Sequence, residues 1–81
     1  MNRILIVEDD PSLGRGLALS LTDGQTQATL VATCREAREQ LAAHPFDLAL
    51  FDVGLPDGSG LDLLQLVRQG RQMPVILVTA N

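Results

Sequence analysis

Three short apolar runs in this chain stop on residues that could do chemistry. Arg3 to Val7 (RILIV) stops at Glu8 and Asp9, Leu48 to Phe51 at Asp52, and Val75 to Val78 at Thr79. If these runs are strands of one parallel sheet, their C-terminal ends share an edge, the edge where open α/β sheets bind ligands. Carboxylates converging there would repel one another, and a bound divalent cation would relieve that repulsion. Hard oxygen ligands in an incomplete protein shell suit Mg²⁺, which keeps several waters and shares a phosphate oxygen. Such a cation also offsets charge on a phosphoryl group in transfer. Asp52 would then be a nucleophile, since carboxylates form acyl phosphates, and Thr79 could donate its hydroxyl to a phosphate oxygen. Acids at strand ends also cap helices, and Asp10 is expected to do only that. Glu8 and Asp9 taken alone read more readily as a cap or a solvated loop, and Asp52 or Thr79 alone says little. The weight lies in all of them falling at successive strand ends.

The elements that must position these residues alternate. RILIV is β-branched and unbroken, as a strand buried on both faces should be. Asp10 followed by Pro11 signals a helix start, a capping acid and then proline at the first helical position. Leu13, Leu17 and Leu21 then mark one apolar stripe, and Asp23-Gly24 stops the helix. Thr29 to Val31, between Ala28 and Ala32, alternates apolar with polar residues, which predicts an edge strand. Thr33 with Glu36 is a capping-box pattern. It opens a second helix with Ala37 and Leu41 inward and His44-Pro45 at its end. After Asp52, the run Gly54 to Gly60 reads as a loop rich in turn residues. Leu61, Leu63, Leu64 and Val67 predict a third helix ending near Gly70, and Pro74 leads into the strand Val75 to Val78. The order strand, helix, strand, helix, strand, helix, strand implies a parallel sheet with helices on its faces and right-handed crossovers.

The 81 residues allow one domain, spanning 1–81, with 46% hydrophobic and 20% charged residues, which is ordinary for a globular chain. The formal net charge of -4 argues against direct nucleic-acid contact by this segment. The basic side chains are all arginine, Arg3, Arg15, Arg35, Arg38, Arg68 and Arg71, and there is no lysine. The single cysteine, Cys34, cannot form an internal disulfide and reads as a small, partly buried residue near a helix start. That usage fits a reducing, cytoplasmic compartment. No signal peptide is visible, and no apolar stretch reaches the roughly 18 residues of a membrane span.

The segments ILIVEDD, DLALFDVGLPDGSGLDLL and MPVILVTAN, in this order and spacing, resemble the receiver domains of two-component response regulators. The resemblance runs over the whole chain. It implies a CheY-like, flavodoxin-like three-layer fold with strand order 2-1-3-4. It implies Asp52 as phosphoacceptor, Glu8 and Asp9 as the acidic pair at a Mg²⁺ ion with Asp9 the direct ligand, and the backbone carbonyl of Gly54 as a further ligand. Thr79 matches the switch hydroxyl, and Pro56 and Gly60 match the loop that shapes the site. The implied partner is a sensor histidine kinase, and the implied role is a signalling switch rather than a metabolic enzyme. The style of DVGLPDGSGLDLL resembles regulators of the OmpR type, in which DNA is contacted by a separate output domain that this chain does not contain.

Against a complete receiver of five strands and five helices, the chain lacks the last helix, strand and helix, and with them the family's lysine. The expectation is therefore a fragment that is phosphorylated poorly while still able to bind the cation. An open edge at Val75-Ile76-Leu77-Val78 is expected to favour self-association, by strand pairing in a dimer or by domain swapping. One alternative is a truncated receiver that only dimerises or docks. Another is an aspartyl-phosphate phosphatase. Such enzymes carry a second Asp two residues after the nucleophile, where this chain has Gly54. A nucleotide-binding reading fails because Gly54, Gly58 and Gly60 do not form a phosphate-cradling pattern followed by Lys.

Overall fold

The computed structural model describes residues 2–70 and 72–78. Its elements run β1 (Asn2–Val7), α1 (Pro11–Leu21), β2 (Thr26–Val31), α2 (Cys34–Ala43), β3 (Leu48–Asp52), β4 (Gly54–Leu55), β5 (Gly58–Ser59), α3 (Gly60–Arg68) and β6 (Val75–Val78). Four of the strands form one parallel sheet in the order β2-β1-β3-β6. Counting only strands of this sheet, the order is the expected 2-1-3-4. β2 is an edge strand, as its alternation predicted, and it begins at Thr26. The glycine-rich segment after Asp52 is more ordered than a loop. Gly54–Leu55 pairs antiparallel with Gly58–Ser59, making a short hairpin with Pro56 and Asp57 at its turn.

The central strands show why their sequences are unbroken runs. Successive side chains of a strand point to opposite faces, and both faces are covered. Leu5, Val7, Ala49 and Phe51 join Ala37, Leu41, Leu63 and Val67 under α2 and α3. Ile4, Ile6 and Leu50 meet Leu17, Ala18 and Leu21 of α1 on the other face. Full burial of a side chain such as Phe51 contributes about 1.5 to 3 kcal/mol.

Each helix starts where its cap dictates. The Asp10 carboxylate accepts from the Ser12 and Leu13 amides at 3.0 and 3.3 Å, with Pro11 at the first helical position. The Thr33 hydroxyl oxygen accepts from the Glu36 amide at 3.1 Å, and Glu36 in turn accepts from the Thr33 hydroxyl and the Ala32 amide. The Ser59 hydroxyl oxygen accepts from the Leu61 amide at 3.1 Å.

The face of α1 differs from the stripe expected, and that of α3 is settled by the packing. In α1 the inward stripe is Gly14, Leu17, Ala18 and Leu21, and Leu13 is 38% exposed. In α3 it is Gly60, Leu63 and Val67, and Leu61 is 48% exposed. Both stripes start on a glycine because the helix there lies close to its neighbours. A Cβ on Gly14 would stand 2.9 Å from Leu30 Cδ1. In α2, Ala37 and Leu41 are buried as expected, and Cys34 is fully buried.

The buried face of α3 sets a measurable contrast. Leu63→Ala is expected to cost about 2 to 5 kcal/mol, whereas Leu61→Ala is expected to stay within about 0.5 kcal/mol of the parent. Urea denaturation followed by far-UV circular dichroism reads both, and equal losses would contradict this packing.

Candidate functional site

The strand ends bring the acids together. Glu8 directly follows β1, and its amide donates to the Val31 carbonyl at 3.0 Å, extending the ladder one residue beyond the strand. Asp52 is the last residue of β3 and the register partner of Val78. The Val53 amide donates to the Val78 carbonyl at 3.1 Å, so the end of β6 is stitched beside Asp52. Glu8, Asp9 and Asp52 each offer a carboxylate oxygen, and these oxygens lie within 4.8 Å of one another. Among the described residues this is the one such cluster of candidate metal ligands.

The three acids differ in environment. Glu8 and Asp52 are 4% and 5% exposed, while Asp9 faces solvent. The Asp10 amide donates to Glu8 Oε1 at 3.1 Å, and the Gly54 amide donates to Asp52 Oδ1 at 3.2 Å. Burial pushes the Glu8 carboxyl above its ordinary value. The Asp10 amide pulls it back, and the charge and hydrogen bonding of Asp52 raise it further, with a smaller contribution from Asp9. No arginine among the described residues is ion-paired with the cluster. Buried carboxylates facing one another without a cationic side chain are costly. A hard divalent cation removes that cost, and an all-oxygen donor set with one ligand open to water fits Mg²⁺.

Gly54 stands beside Asp52 through its own amide, an exposed position at the start of the hairpin. Thr79 lies outside the described residues. Pro56, exposed at the hairpin turn, and Gly60, the first residue of α3, sit in the segment that follows Asp52, and at Gly60 the requirement for glycine is steric. A Cβ there would collide with the carbonyl oxygen of Asp52 and approach Phe51 Cβ to 3.1 Å, so only glycine lets α3 start against β3. The Gly60 amide also donates to the Val53 carbonyl at 3.2 Å.

One residue near the site had no signal in the sequence. Asp57, at the hairpin turn, reaches the N-terminus of α2. Its Oδ1 accepts from the Cys34 amide at 2.7 Å and its Oδ2 from the Arg35 amide at 3.0 Å. These bonds hold the Asp57 carboxyl below its usual value. Within the motif, Asp57 reads as a turn residue, and nothing local relates it to a helix that begins 23 positions earlier.

The chain matches the family model described as "Response regulator receiver domain" over residues 4–81. It is 44% identical over 79 residues to the response regulator protein PilR of Pseudomonas aeruginosa, covering 96% of this chain and 18% of that protein. It is 36% identical over 81 residues to the transcriptional regulatory protein KdpE of Mycobacterium tuberculosis, covering all of this chain and 36% of that protein. The chain thus spans about a fifth to a third of the length of these relatives. Among solved structures it is similar to the response regulator protein TrrA of Thermotoga maritima in complex with Mg²⁺-BeF. That match has a TM-score of 0.90 and 28% identity, and covers all of this chain and 71% of that one.

The acidic cluster has a signature in pH. The folded-state pKa of Glu8 lies above its ordinary 4.5. Below about 4.5 both folded and unfolded chains carry the proton and no penalty exists; above the folded value both are ionised, and the buried charge costs stability. In chelator, Glu8→Gln is expected to raise the urea midpoint at pH 7, with the advantage vanishing as pH falls towards 4.5. A variant no more stable than its parent at pH 7 would contradict this account.

Proposed function

The chain belongs to the response regulator receiver domain family, and from that membership we propose that Asp52 accepts a phosphoryl group from a sensor histidine kinase, with Mg²⁺ held by Glu8, Asp9, Asp52 and the Gly54 carbonyl. The observation that carries this reading is the approach of three carboxylates to within 4.8 Å, two of them buried, at the ends of neighbouring strands.

The chemistry asked of the chain's own atoms is small. An Asp52 oxygen attacks phosphorus in line with the departing imidazole nitrogen. The new P–O bond gives an acyl phosphate, the P–N bond breaks, and the imidazole takes up a proton from solvent. The Gly54 amide on Asp52 Oδ1 fixes the plane of the nucleophile before the donor arrives. Asp9, open to solvent, is placed to meet an incoming hydrated ion first, and the backbone of Glu8 is pinned to Val31. When bound, the cation neutralises the acids and offsets charge gathering on the transferred group. Support from outside the chain comes from TrrA, whose structure contains Mg²⁺-BeF.

The role is that of a switch rather than a metabolic enzyme, and Gly54 stands where an aspartyl-phosphate phosphatase would carry its second acid. A transcriptional output agrees with the name of KdpE and would belong to a part of the protein beyond this segment. Thr79 completes the proposal as the hydroxyl that meets the phosphoryl group. Among the described residues no helix is long and apolar enough to cross a membrane. Self-association through β6 is part of the same reading, because that strand lies at the sheet edge and Ile76 is 50% exposed. Sedimentation velocity is expected to show mass increasing with concentration, and a monomer throughout would remove this element.

The central test is labelling by acetyl phosphate followed by intact-mass spectrometry. Slow, partial addition of one phosphoryl group is expected on the parent chain with Mg²⁺, in keeping with its lack of lysine, none with chelator, and none on Asp52→Asn. Labelling that survives Asp52→Asn would overturn the assignment.

A further inference from the structure

The hairpin that follows Asp52 touches it at both ends. On entry, the Gly54 amide donates to Asp52 Oδ1 at 3.2 Å; on exit, Gly60 lies against the Asp52 carbonyl with no room for a Cβ. Between these contacts the segment is held by its own two-residue ladder and by Leu55, which packs against the core, while its turn stands outside both. Gly54, Pro56, Asp57 and Gly58 are all exposed, and the glycines bring no side chain. The turn itself is tied to α2. The two oxygens of Asp57 accept from the Cys34 and Arg35 amides at 2.7 and 3.0 Å, the first free donors of that helix. Cys34 Sγ lies 3.8 Å from the Ser59 carbonyl, and a Cβ on Gly58 would stand only 3.1 Å from that sulfur.

Resting on the reading of Asp52 as a metal and phosphoryl site, we propose that Asp57 is a positioning residue, fastening the hairpin to the N-terminus of α2 so that the Gly54 and Gly60 contacts keep the Asp52 carboxylate in place. Hydrogen bonds from helix N-terminal amides to a carboxylate are charge-assisted and reinforced by the helix dipole. A carboxylate suits the task because the two amides each need an acceptor; an amide side chain offers one oxygen and would turn a donor towards the other. Local capping of α2 does not need Asp57 in the same way, since Thr33 already accepts from the Glu36 amide at 3.1 Å. Asp57 therefore links two segments, whereas Thr33 serves one.

Because coupling is reciprocal, loading the site must tighten the grip as much as the grip tightens the site. The test uses the 81-residue chain and the variants Asp57→Ala, Asp57→Asn and Thr33→Ala. Mg²⁺ affinity is read from amide shifts at Asp9 and Gly54, labelling of Asp52 by acetyl phosphate, and hydrogen exchange at the Cys34 and Arg35 amides with and without Mg²⁺. Both Asp57 variants are expected to weaken Mg²⁺ binding by about five- to ten-fold and to slow labelling. Thr33→Ala is expected to lower the urea midpoint yet bind Mg²⁺ like the parent. In the parent, Mg²⁺ is expected to slow exchange at Cys34 and Arg35. Unchanged Mg²⁺ affinity in Asp57→Asn, or an equal loss in Thr33→Ala, would overturn the proposal. Should Asp57→Ala not fold, exchange in the parent decides, and rates at Cys34 and Arg35 indifferent to Mg²⁺ would sink it. A parent chain that binds no Mg²⁺ removes the metal reading itself; one that binds it normally while Asp57→Asn does too removes only the role of Asp57.

Discussion

Like charges held together out of water are the constraint on which this molecule turns. Glu8 and Asp52 are almost wholly buried, and their carboxylate oxygens lie within 4.8 Å of each other. At an effective dielectric constant of about 20, two ionised groups at that distance repel by about 3 kcal/mol, a sizeable part of what a small domain has to spare. The rest of the structure holds them there regardless. β1 and β3 are adjacent, parallel and in register, so the residues that end them have no choice but to meet. The apolar runs Leu5 to Val7 and Ala49 to Phe51 are buried on both faces, which leaves neither strand free to slide and relieve the repulsion. The strain of the acidic cluster is thus borne by the core beneath it, and a bound cation would relieve it.

Close packing against the helices makes glycine part of the same design. Gly60 admits α3 to the carbonyl of Asp52, and Gly14 lets α1 settle on Leu30. In both helices the stripe that faces the sheet begins with a residue that has no side chain, and a leucine just beside it, Leu61 or Leu13, is turned outward. In α1 a stripe that starts at Leu13 finds the correct helix and the inward Leu17 and Leu21, but places its first residue wrongly. Hydrophobicity marks where a side chain gains from burial, whereas a glycine in the stripe marks where a neighbour leaves no room for a side chain, the Asp52 backbone at Gly60 and the Leu30 side chain at Gly14. That constraint is invisible until the neighbour is known.

Asp57 shows the same limit for polar residues. Its neighbours Pro56 and Gly58 are turn residues, and an aspartate between them is ordinary turn chemistry. Its two hydrogen bonds are made to a helix that precedes it by more than twenty residues, beyond β3. The caps at Asp10 and Ser59 bond amides within three residues and are written in the local sequence. Thr33 is of the same kind, although the full satisfaction of the α2 N-terminus draws on Asp57 as well.

From its amino-acid sequence alone the chain declares its alternating elements, its edge strand β2, the starts of α1 and α2 and the identity of the acids that end its strands. These follow from local rules: residue periodicity, capping and the switch from apolar to charged at strand ends. Tertiary structure decided which acids are removed from water, which face each helix turns inward, that the segment after Asp52 pairs with itself, and that its turn is fastened to α2. The hairpin is local, pairing Gly54 with Ser59 and Leu55 with Gly58, but the other three depend on distances between segments far apart in the chain, and those are set by packing of the whole core rather than by any window of sequence.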